Sequence, residues 1–236
     1  MHIVVIIPAL NEALSIGKVL NDIPRPPVTD VIVVDNGSTD GTPAIAASHG
    51  ARVVIEPQRG YGAACLRGLS EIHPEAEIIV FLDGDYSDYP EEISALIEPI
   101  CAGKADLVIG SRELGHREAG ALMPQQRFGN ALATGLIRLL WGHRYTDLGP
   151  FRAIRRTSLD QLHMQDQNYG WTIEMQIKAI RQGLRIHEIP VRYRCRIGVS
   201  KISGTVMGSF NAGRKILSCI ARFWWEDRFG AEKTLG

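Results

Sequence analysis

The stretch IIVFLDGDYSDYP, Ile78 to Pro90, indicates both a type of fold and the position of a site. Its five leading apolar residues are typical of a strand buried on both faces of a parallel sheet. This run leads directly into Asp83 and Asp85, whose carboxylates repel each other when both are ionised. The stretch therefore predicts either an acidic turn or a place where a divalent cation neutralises the pair.

Similar β-branched runs recur through the first half of the chain. Strands are predicted at 3–7, 30–35, 52–56, 77–83 and 106–110, with helix-like segments that begin near Glu12, Gly41, Tyr61 and Pro90. This alternation predicts an α/β fold with a mainly parallel central sheet and helices on both of its faces. Ligands of such sheets bind beyond the carboxyl ends of the strands, so the loops there are expected to gather into one site.

The second half of the chain is less regular. Helices are predicted at about 125–140, 170–182 and 203–225, and short strands are predicted within 143–156 and 186–194. No repeat or linker divides the chain. We therefore expect one domain over residues 1–204, followed by a C-terminal amphipathic helix and tail over 205–236.

Composition limits which binding partners and which cellular compartment are expected. Basic and acidic residues number 26 each among 236, so the global charge does not favour nucleic acid as a partner. The four cysteines lie far apart in sequence, which favours reduced thiols in a cytoplasmic protein. The longest uncharged run, 202–213, is shorter than the roughly 18–20 residues that a membrane helix needs. Any contact with a membrane is therefore expected at its surface.

Five loops follow the predicted strands in a specific order. They are PALNE (8–12), VVDNGSTDGT (33–42), RGYGAA (59–64), LDGD (82–85) and GSR (110–112). This set resembles glycosyltransferase family 2, which has the GT-A fold, and within it the polyprenyl-phosphate and dolichyl-phosphate sugar synthases. The resemblance covers roughly residues 1–204 and implies transfer of a hexose from a nucleotide-diphospho-sugar, of the UDP-glucose or GDP-mannose type, to a polyprenyl-phosphate-like acceptor. It also implies Mg²⁺ or Mn²⁺ as cofactor.

The resemblance also assigns a donor site. Its residues would be Pro8, Glu12, Asp35, Gly60, Gly62, Asp83, Arg112, Arg196, Ser200 and Lys201. Glu12 and Asp35 would contact the base and ribose. Asp83 and Asp85 would form the metal-linked DxD motif, with Asp85 as the direct ligand and catalytic residue. One departure is Asn36, where the family commonly has a second acidic residue. RGYGAA lacks the third glycine of a dinucleotide-binding loop and follows the third strand, which disfavours that fold.

The acceptor side is expected in the second half of the chain. Arg127 and Arg138 share one face of a predicted helix, which indicates either a phosphate clamp or a solvated basic face. By resemblance, Asp147 and Arg152 would lie near the acceptor. Glu174 would be a catalytic base, or else would form an exposed ion pair with Lys178. A base, either Glu174 or Asp147, is needed only if the acceptor is a hydroxyl group.

The last predicted helix ends in RFWWEDR, which places two tryptophans among charges. This pattern is compatible with packing on the domain, with a homodimer contact, or with peripheral contact at the inner face of the membrane. Two other functions remain open on the sequence. A nucleotidyltransferase would usually have a glycine-rich phosphate loop after the first strand, which PALNE lacks. A non-catalytic scaffold at the membrane would not need both aspartates.

Overall fold

The computed structural model describes residues 1–198 and 206–229, with the side chains of the last helix from residue 213 onward. Seven strands in this part of the chain form one sheet with the order β3-β2-β1-β4-β6-β5-β7. Their bounds are β1 (His2–Ala9), β2 (Asp30–Asp35), β3 (Arg52–Ile55), β4 (Ala76–Phe81), β5 (Leu107–Ser111), β6 (Arg152–Arg155) and β7 (Ile186–Pro190). Neighbouring strands run parallel except where β6 pairs antiparallel with β4 and with β5. The expected mainly parallel sheet is confirmed.

The central strand β1 divides the apolar core into two clusters, one on each face of the sheet. Val4 and Ile6 belong to one cluster, whereas Ile3, Val5 and Ile7 belong to the other. Each of these five side chains is at most 2% exposed. Because successive side chains of a strand point to opposite faces, burial on both sides requires an unbroken apolar run. The run at 3–7 is therefore a consequence of the layered architecture.

Helices cover both faces of the sheet, as expected. Their bounds are α1 (Ile16–Asp22), α2 (Thr42–Ser48), α3 (Tyr61–Ser70), α4 (Ile93–Cys101), α5 (Pro124–Trp141), α6 (Arg156–Leu162), α7 (Trp171–Arg181) and α8 (Val206–Phe229). Buried residues of α1, α2 and α4 belong to the cluster that contains Val5, and those of α3 and α5 to α8 belong to the cluster that contains Ile6. The sequence pattern did not predict α6.

The register of the sheet brings three loops to one edge. Ala9 at the end of β1 pairs with Asp35 at the end of β2, and Ile6 pairs with Phe81 at the end of β4. The loops after these strands therefore meet beyond their carboxyl ends. The expectation that the first helix begins near Glu12 is wrong. The carbonyl of Glu12 accepts hydrogen bonds from the N–H groups of Ser15 and Ile16 in a turn, and α1 begins only at Ile16.

The C-terminal helix α8 packs on α5 and α7. Its buried side chains are Cys219, Ile220 and Phe223, whereas Leu217, Trp225 and Phe229 are exposed. Asp227 accepts a hydrogen bond of 2.8 Å from Trp141 Nε1 of α5. Packing on the domain, one of the alternatives for this helix, is therefore confirmed. In the described ranges, no helix combines the length and the apolar content needed to cross a membrane. The expected boundary at residue 204 lies outside the described residues.

Candidate active site

A cavity of about 270 Å³ opens where the loops after β1, β2 and β4 meet. Its wall comprises Pro8, Ala9, Leu10, Glu12, Asn36, Arg59, Gly60, Tyr61, Ala64, Asp83, Gly84, Asp85, Asn168, Tyr169 and Arg196. Six of the predicted site residues are thus brought together, namely Pro8, Glu12, Gly60, Asp83, Asp85 and Arg196. Four of the five loops that the sequence placed at one edge of the sheet line this cavity, and the loop after β5 (110–112) does not.

The two aspartates after β4 differ in their surroundings. Asp85 is buried, and its Oδ1 accepts hydrogen bonds from the N–H and hydroxyl groups of Ser87 at 2.9 and 2.6 Å. Asp83 has a buried Oδ1 without a hydrogen-bond partner in the described chain. Burial, followed by the charge of Asp85, raises the pKa of Asp83 to about 7. Asp83 is therefore the member of the pair whose negative charge the protein stabilises poorly.

Arg196 lies across the cavity between the first and fourth loops. Its Nη2 is 3.2 Å from Glu12 Oε1, and its Nη1 is 3.2 Å from Asp85 Oδ2. The other Glu12 oxygen accepts a hydrogen bond from the hydroxyl of Ser15 at 3.1 Å. Arg196 Nε is buried and has no partner among the described residues. Such a donor indicates room for an anionic ligand at this point.

These residues suit a divalent cation that is shared with a ligand. Carboxylate oxygens are the preferred ligands of Mg²⁺ and also suit Mn²⁺, and Asp83 offers one that is buried and without a partner. Among the described residues, no cluster of three or more His, Cys, Asp or Glu side chains could hold a metal ion by itself. A cation here would therefore need oxygens from water or from a bound phosphate, as is common for Mg²⁺.

The raised pKa of Asp83 predicts a pH-dependent change in stability. Folded Asp83 retains its proton up to about pH 7, whereas an aspartate in the unfolded chain loses its proton at about pH 3.9. Asp83 therefore lowers the stability of the ligand-free protein as pH rises through this range. We expect Asp83→Asn to increase stability at about pH 8 by roughly 1–2 kcal/mol, and to increase it less at about pH 5. Thermal unfolding of the unmodified protein and of Asp83→Asn at the two pH values measures the gain in stability. An equal gain at both pH values would contradict the prediction.

Gly60 and Gly62 allow the chain to approach itself closely. A Cβ atom on Gly62 would lie 1.9 Å from the carbonyl oxygen of Asp166, and one on Gly60 would lie 2.1 Å from that of Gln167. Gly60 also has a φ of +150°, which side chains disfavour. The N–H of Ala63 donates to the Gln167 carbonyl at 2.9 Å. The predicted donor residues Gly60 and Gly62 thus allow their loop to pack closely against the segment 166–170, and Gly60 also lines the cavity.

The side chain of Asn36 is hydrogen-bonded to the loop behind the cavity. Its Nδ2 donates to the carbonyls of Glu56 and Gln58 at 3.0 and 2.7 Å, and its Oδ1 accepts from the N–H of Gly60 at 2.8 Å. An aspartate has no N–H group for the two carbonyls, which explains asparagine at this position. The neighbouring Asp35 accepts hydrogen bonds from Ser38 N–H and does not line the cavity.

Asp147 and Arg112 form a buried pair beside the cavity. Arg112 Nε and Nη2 donate to the two carboxylate oxygens at 2.7 Å each, and the Arg112 backbone N–H adds a bond of 2.8 Å. Burial alone would raise the pKa of Asp147, but Arg112 outweighs it and the net pKa is lowered. A carboxylate with a lowered pKa is a weak base. The geometry therefore favours a positioning role for Asp147, and neither residue lines the cavity.

Glu174 is fully buried, so the expectation of an exposed ion pair is wrong. Its Oε1 is 2.7 Å from Lys178 Nζ, and its carboxylate accepts the backbone N–H groups of Gln165 and Asp166. Asp166 in turn accepts the N–H of Gly170 at 3.0 Å. Glu174 thus fixes the segment 165–170, which forms one wall of the cavity, and its own side chain does not line it.

The three arginines predicted for the acceptor do not line the cavity. Arg152 is fully buried and donates to the carbonyls of Leu148, Gly149 and Thr172. Its guanidinium therefore fixes the chain before β6 and is not presented to a ligand. Arg127 and Arg138 are exposed on α5. The predicted Ser200 and Lys201 lie outside the described residues.

The sequence did not identify several residues of the cavity wall. Arg59 and Tyr61 flank Gly60 in RGYGAA, so their place in a strand-end loop was an available signal. Asn168 and Tyr169 precede α7 and follow no strand end, so no local pattern marked them. Asp88, which does not line the cavity, is another buried acidic residue that the sequence did not single out. It is 1% exposed, both of its carboxylate oxygens lack partners in the described chain, and burial followed by Asp83 raises its pKa well above the usual range.

Comparison with known proteins points to one family of enzymes. The family model described as glycosyl transferase family 2 matches residues 4–163. An uncharacterised glycosyltransferase of Mycobacterium tuberculosis is 35% identical over 212 residues, which cover 89% of this chain and 94% of the relative. A dolichyl-phosphate hexose transferase of Haloferax volcanii is 33% identical, covering 95% and 94%. A polyprenol monophosphomannose synthase of Mycolicibacterium smegmatis is 32% identical, covering 85% and 81%.

A solved structure is similar along most of the chain. Glucosyl-3-phosphoglycerate synthase of Mycobacterium tuberculosis, in complex with Mn²⁺, UDP and glucosyl-3-phosphoglycerate, superposes with a TM-score of 0.76 at 25% identity. The match covers 94% of this chain and 79% of that one. The predicted GT-A-type fold is therefore confirmed, and the match of the family model over 160 residues is decisive for membership. The chain belongs to glycosyl transferase family 2.

Proposed function

We propose that this protein is a metal-dependent, inverting glycosyltransferase that moves a hexose from a nucleotide-diphospho-sugar to a polyprenyl-phosphate acceptor. The observation that carries the proposal is the pair Asp83 and Asp85 on the cavity wall, with a buried Asp83 oxygen that lacks a partner in the described chain. The relatives named for dolichyl-phosphate and polyprenol support the acceptor class. The neighbour that binds UDP and Mn²⁺ supports the donor class.

The donor would lie along the cavity wall. Pro8 and Gly60 would form the sides of the donor site, and Glu12 would accept hydrogen bonds from the base or ribose of the donor. Arg59 and Arg196 are the cations suited to the diphosphate. Three further predicted donor residues, Asp35, Gly62 and Arg112, would act from behind this wall by fixing its loops.

The proposed chemistry needs charge stabilisation more than proton transfer. Asp85, with Asp83 beside it, would hold Mg²⁺ or Mn²⁺, which supplies positive charge that offsets the charge developing on the leaving group. An acceptor phosphate oxygen would form its bond to the anomeric carbon on the face opposite the diphosphate, while the carbon–oxygen bond to the diphosphate breaks. The second pKa of a phosphate monoester is about 6. The acceptor phosphate is therefore already anionic and needs no base to remove a proton from it.

Glu174→Gln tests the acceptor class. Because Glu174 orders the wall that holds Asn168 and Tyr169, we expect a higher KM for the donor and a fall in kcat of less than about tenfold. Initial rates at varied donor concentration separate the two effects. A fall in kcat of a hundredfold or more, with thermal stability unchanged, is the scale of a lost general base and would favour a hydroxyl acceptor instead.

A thermal-shift panel tests the donor class. Purified protein is heated with UDP, GDP, UDP-glucose or GDP-mannose, each with and without Mn²⁺. A ligand at about a hundred times its Kd adds about 2.7 kcal/mol of stability, so the matched nucleotide should raise the melting temperature measurably. We expect one base to stabilise strongly and only with the cation. Absence of stabilisation by every UDP and GDP compound would refute the donor assignment.

We propose further that the exposed side of α5 lies on an anionic membrane surface. Phe128, Leu132 and Leu139 are 70%, 40% and 78% exposed, and their spacing places them on one stripe, opposite the buried Ala133 and Ile137. An apolar stripe with adjacent cationic side chains, here Arg127 and Arg138, suits the boundary between headgroups and acyl chains. This position would bring the enzyme to a lipid-linked acceptor.

Sedimentation with vesicles tests this surface. We expect the protein to bind phosphatidylglycerol vesicles, and the double substitution Phe128→Ser with Leu139→Ser to weaken binding at least about tenfold, because each removes a large apolar side chain from the contact. Ile55→Ser is the matched control, since Ile55 is 67% exposed on the edge strand β3. Equal binding of all three proteins would contradict the proposal. A dimer that the double substitution dissociates would assign the stripe to a homodimer contact instead.

A further inference from the structure

We infer that Arg196 occupies the cation position of the acidic pair in the ligand-free protein, so that the divalent cation binds tightly only together with the nucleotide-sugar. This inference deepens the proposed function and rests on it, because the cation and the donor are those of the proposal. The predicted role of Arg196 as a contact of the donor diphosphate is retained.

The geometry leaves little of Asp85 available to an incoming cation. Its Oδ1 is engaged by Ser87 at 2.6 and 2.9 Å, and its Oδ2 is 3.2 Å from Arg196 Nη1. The backbone N–H of Ile197 donates to the Asp85 carbonyl at 2.9 Å, which holds Arg196 beside the pair. A positive charge at this distance from Asp85 repels a second cation. The proposed metal ligand is therefore neutralised internally.

The Arg196 guanidinium does not make all of its possible hydrogen bonds in this position. Its two terminal nitrogens contact Asp85 and Glu12, but its buried Nε has no hydrogen-bond partner in the described chain. A diphosphate offers several anionic oxygens in the bidentate geometry that arginine prefers. Transfer of Arg196 from Asp85 to the diphosphate would satisfy Nε and release Asp85 Oδ2 for the cation. Donor and cation should then strengthen the binding of each other to the same degree.

A titration with Mn²⁺ alone, followed by electron paramagnetic resonance of the free ion, tests this inference without any assay of activity. We expect Arg196→Gln to bind Mn²⁺ at least about tenfold more tightly than the unmodified protein, because it removes a positive charge next to Asp85. Arg196→Lys keeps the charge and should resemble the unmodified protein. Arg192→Gln is the matched control, since Arg192 pairs with Glu91 and Glu92 outside the cavity and its loss changes the net charge equally.

A double variant identifies the residue at which the tighter Mn²⁺ binding arises. Adding Asp85→Asn to Arg196→Gln should abolish the tighter binding. Equal Mn²⁺ affinity of Arg196→Gln and the unmodified protein would overturn the inference, and so would a gain that persists in the double variant. A second titration with UDP or GDP present tests the proposed function separately. If neither nucleotide binds any of the proteins, the donor assignment fails, while the titration with Mn²⁺ alone still decides the role of Arg196.

Discussion

Asp85→Asn is expected to lower kcat by a hundredfold or more, whereas Asp83→Asn lowers it less. Ser87 fixes Asp85 Oδ1 on the cavity wall, and the inferred transfer of Arg196 would leave Oδ2 to the cation. Asparagine keeps the shape of the side chain but removes the anionic oxygen proposed for the cation. Loss of one preorganised electrostatic contact to a leaving group typically costs on the order of a hundredfold to a thousandfold in kcat. Steady-state rates with saturating donor and Mn²⁺ measure the difference.

Controls for this comparison separate chemistry from folding. Both variants should retain the secondary structure and thermal stability of the unmodified protein, with Asp83→Asn more stable at alkaline pH because its raised pKa is removed. A tenfold increase in Mn²⁺ should restore part of the activity of Asp83→Asn and little of that of Asp85→Asn. If Asp83→Asn is the more damaging substitution, then Asp83 is the direct ligand and the assignment within the pair is reversed.

Gly62→Ala is expected to have the largest effect on stability. The new Cβ atom would lie 1.9 Å from the carbonyl oxygen of Asp166, where only movement of the backbone gives relief. Overpacking in a well-packed core costs about 1–3 kcal/mol, and a backbone obstacle should place this variant at or above the upper end. Because the segment 166–170 carries Asn168 and Tyr169 of the cavity wall, donor binding should weaken as well. Chemical denaturation measures the free energy of unfolding.

Gly129→Ala provides the matched control for that variant. Gly129 is also helical, and no atom lies within 4 Å of a Cβ built on it. Alanine favours a helix over glycine by about 1 kcal/mol, so this variant should be as stable as the unmodified protein or slightly more stable. If Gly62→Ala and Gly129→Ala have similar unfolding free energies, the close packing of α3 against the segment 166–170 is not essential.

The sheet and its functional edge were predictable because their sequence signals are local. Each parallel strand buried on two faces requires an apolar run, and the run at 78–82 ends at the acidic pair by chain connectivity alone. The topology of α/β sheets then places the loops after β1, β2 and β4 together. Sequence alone therefore predicts that Glu12, Asp83 and Asp85 share one site, and all three line the cavity.

The supporting contacts were not predictable because they join distant segments. Gly62 meets Asp166 across more than a hundred residues, and Asp147 meets Arg112 across 35. The resemblance assigned Gly62 to the donor site and placed Asp147 near the acceptor, and it did not reveal these contacts. Glu174 followed the spacing of an exposed helical ion pair, but the chain folds the segment 165–170 over it. In each case the contact depends on a segment that is distant in the sequence or not marked by the local pattern.

A product assay tests the central claim most directly. Purified protein is incubated with Mn²⁺, undecaprenyl phosphate and either UDP-glucose or GDP-mannose labelled in the sugar. We predict that label enters the organic phase with one of the two donors, with release of an equal amount of nucleoside diphosphate, and that Asp85→Asn abolishes both signals. Release of inorganic diphosphate, or label that stays in the aqueous phase with both donors, would contradict transfer of a hexose to a polyprenyl phosphate.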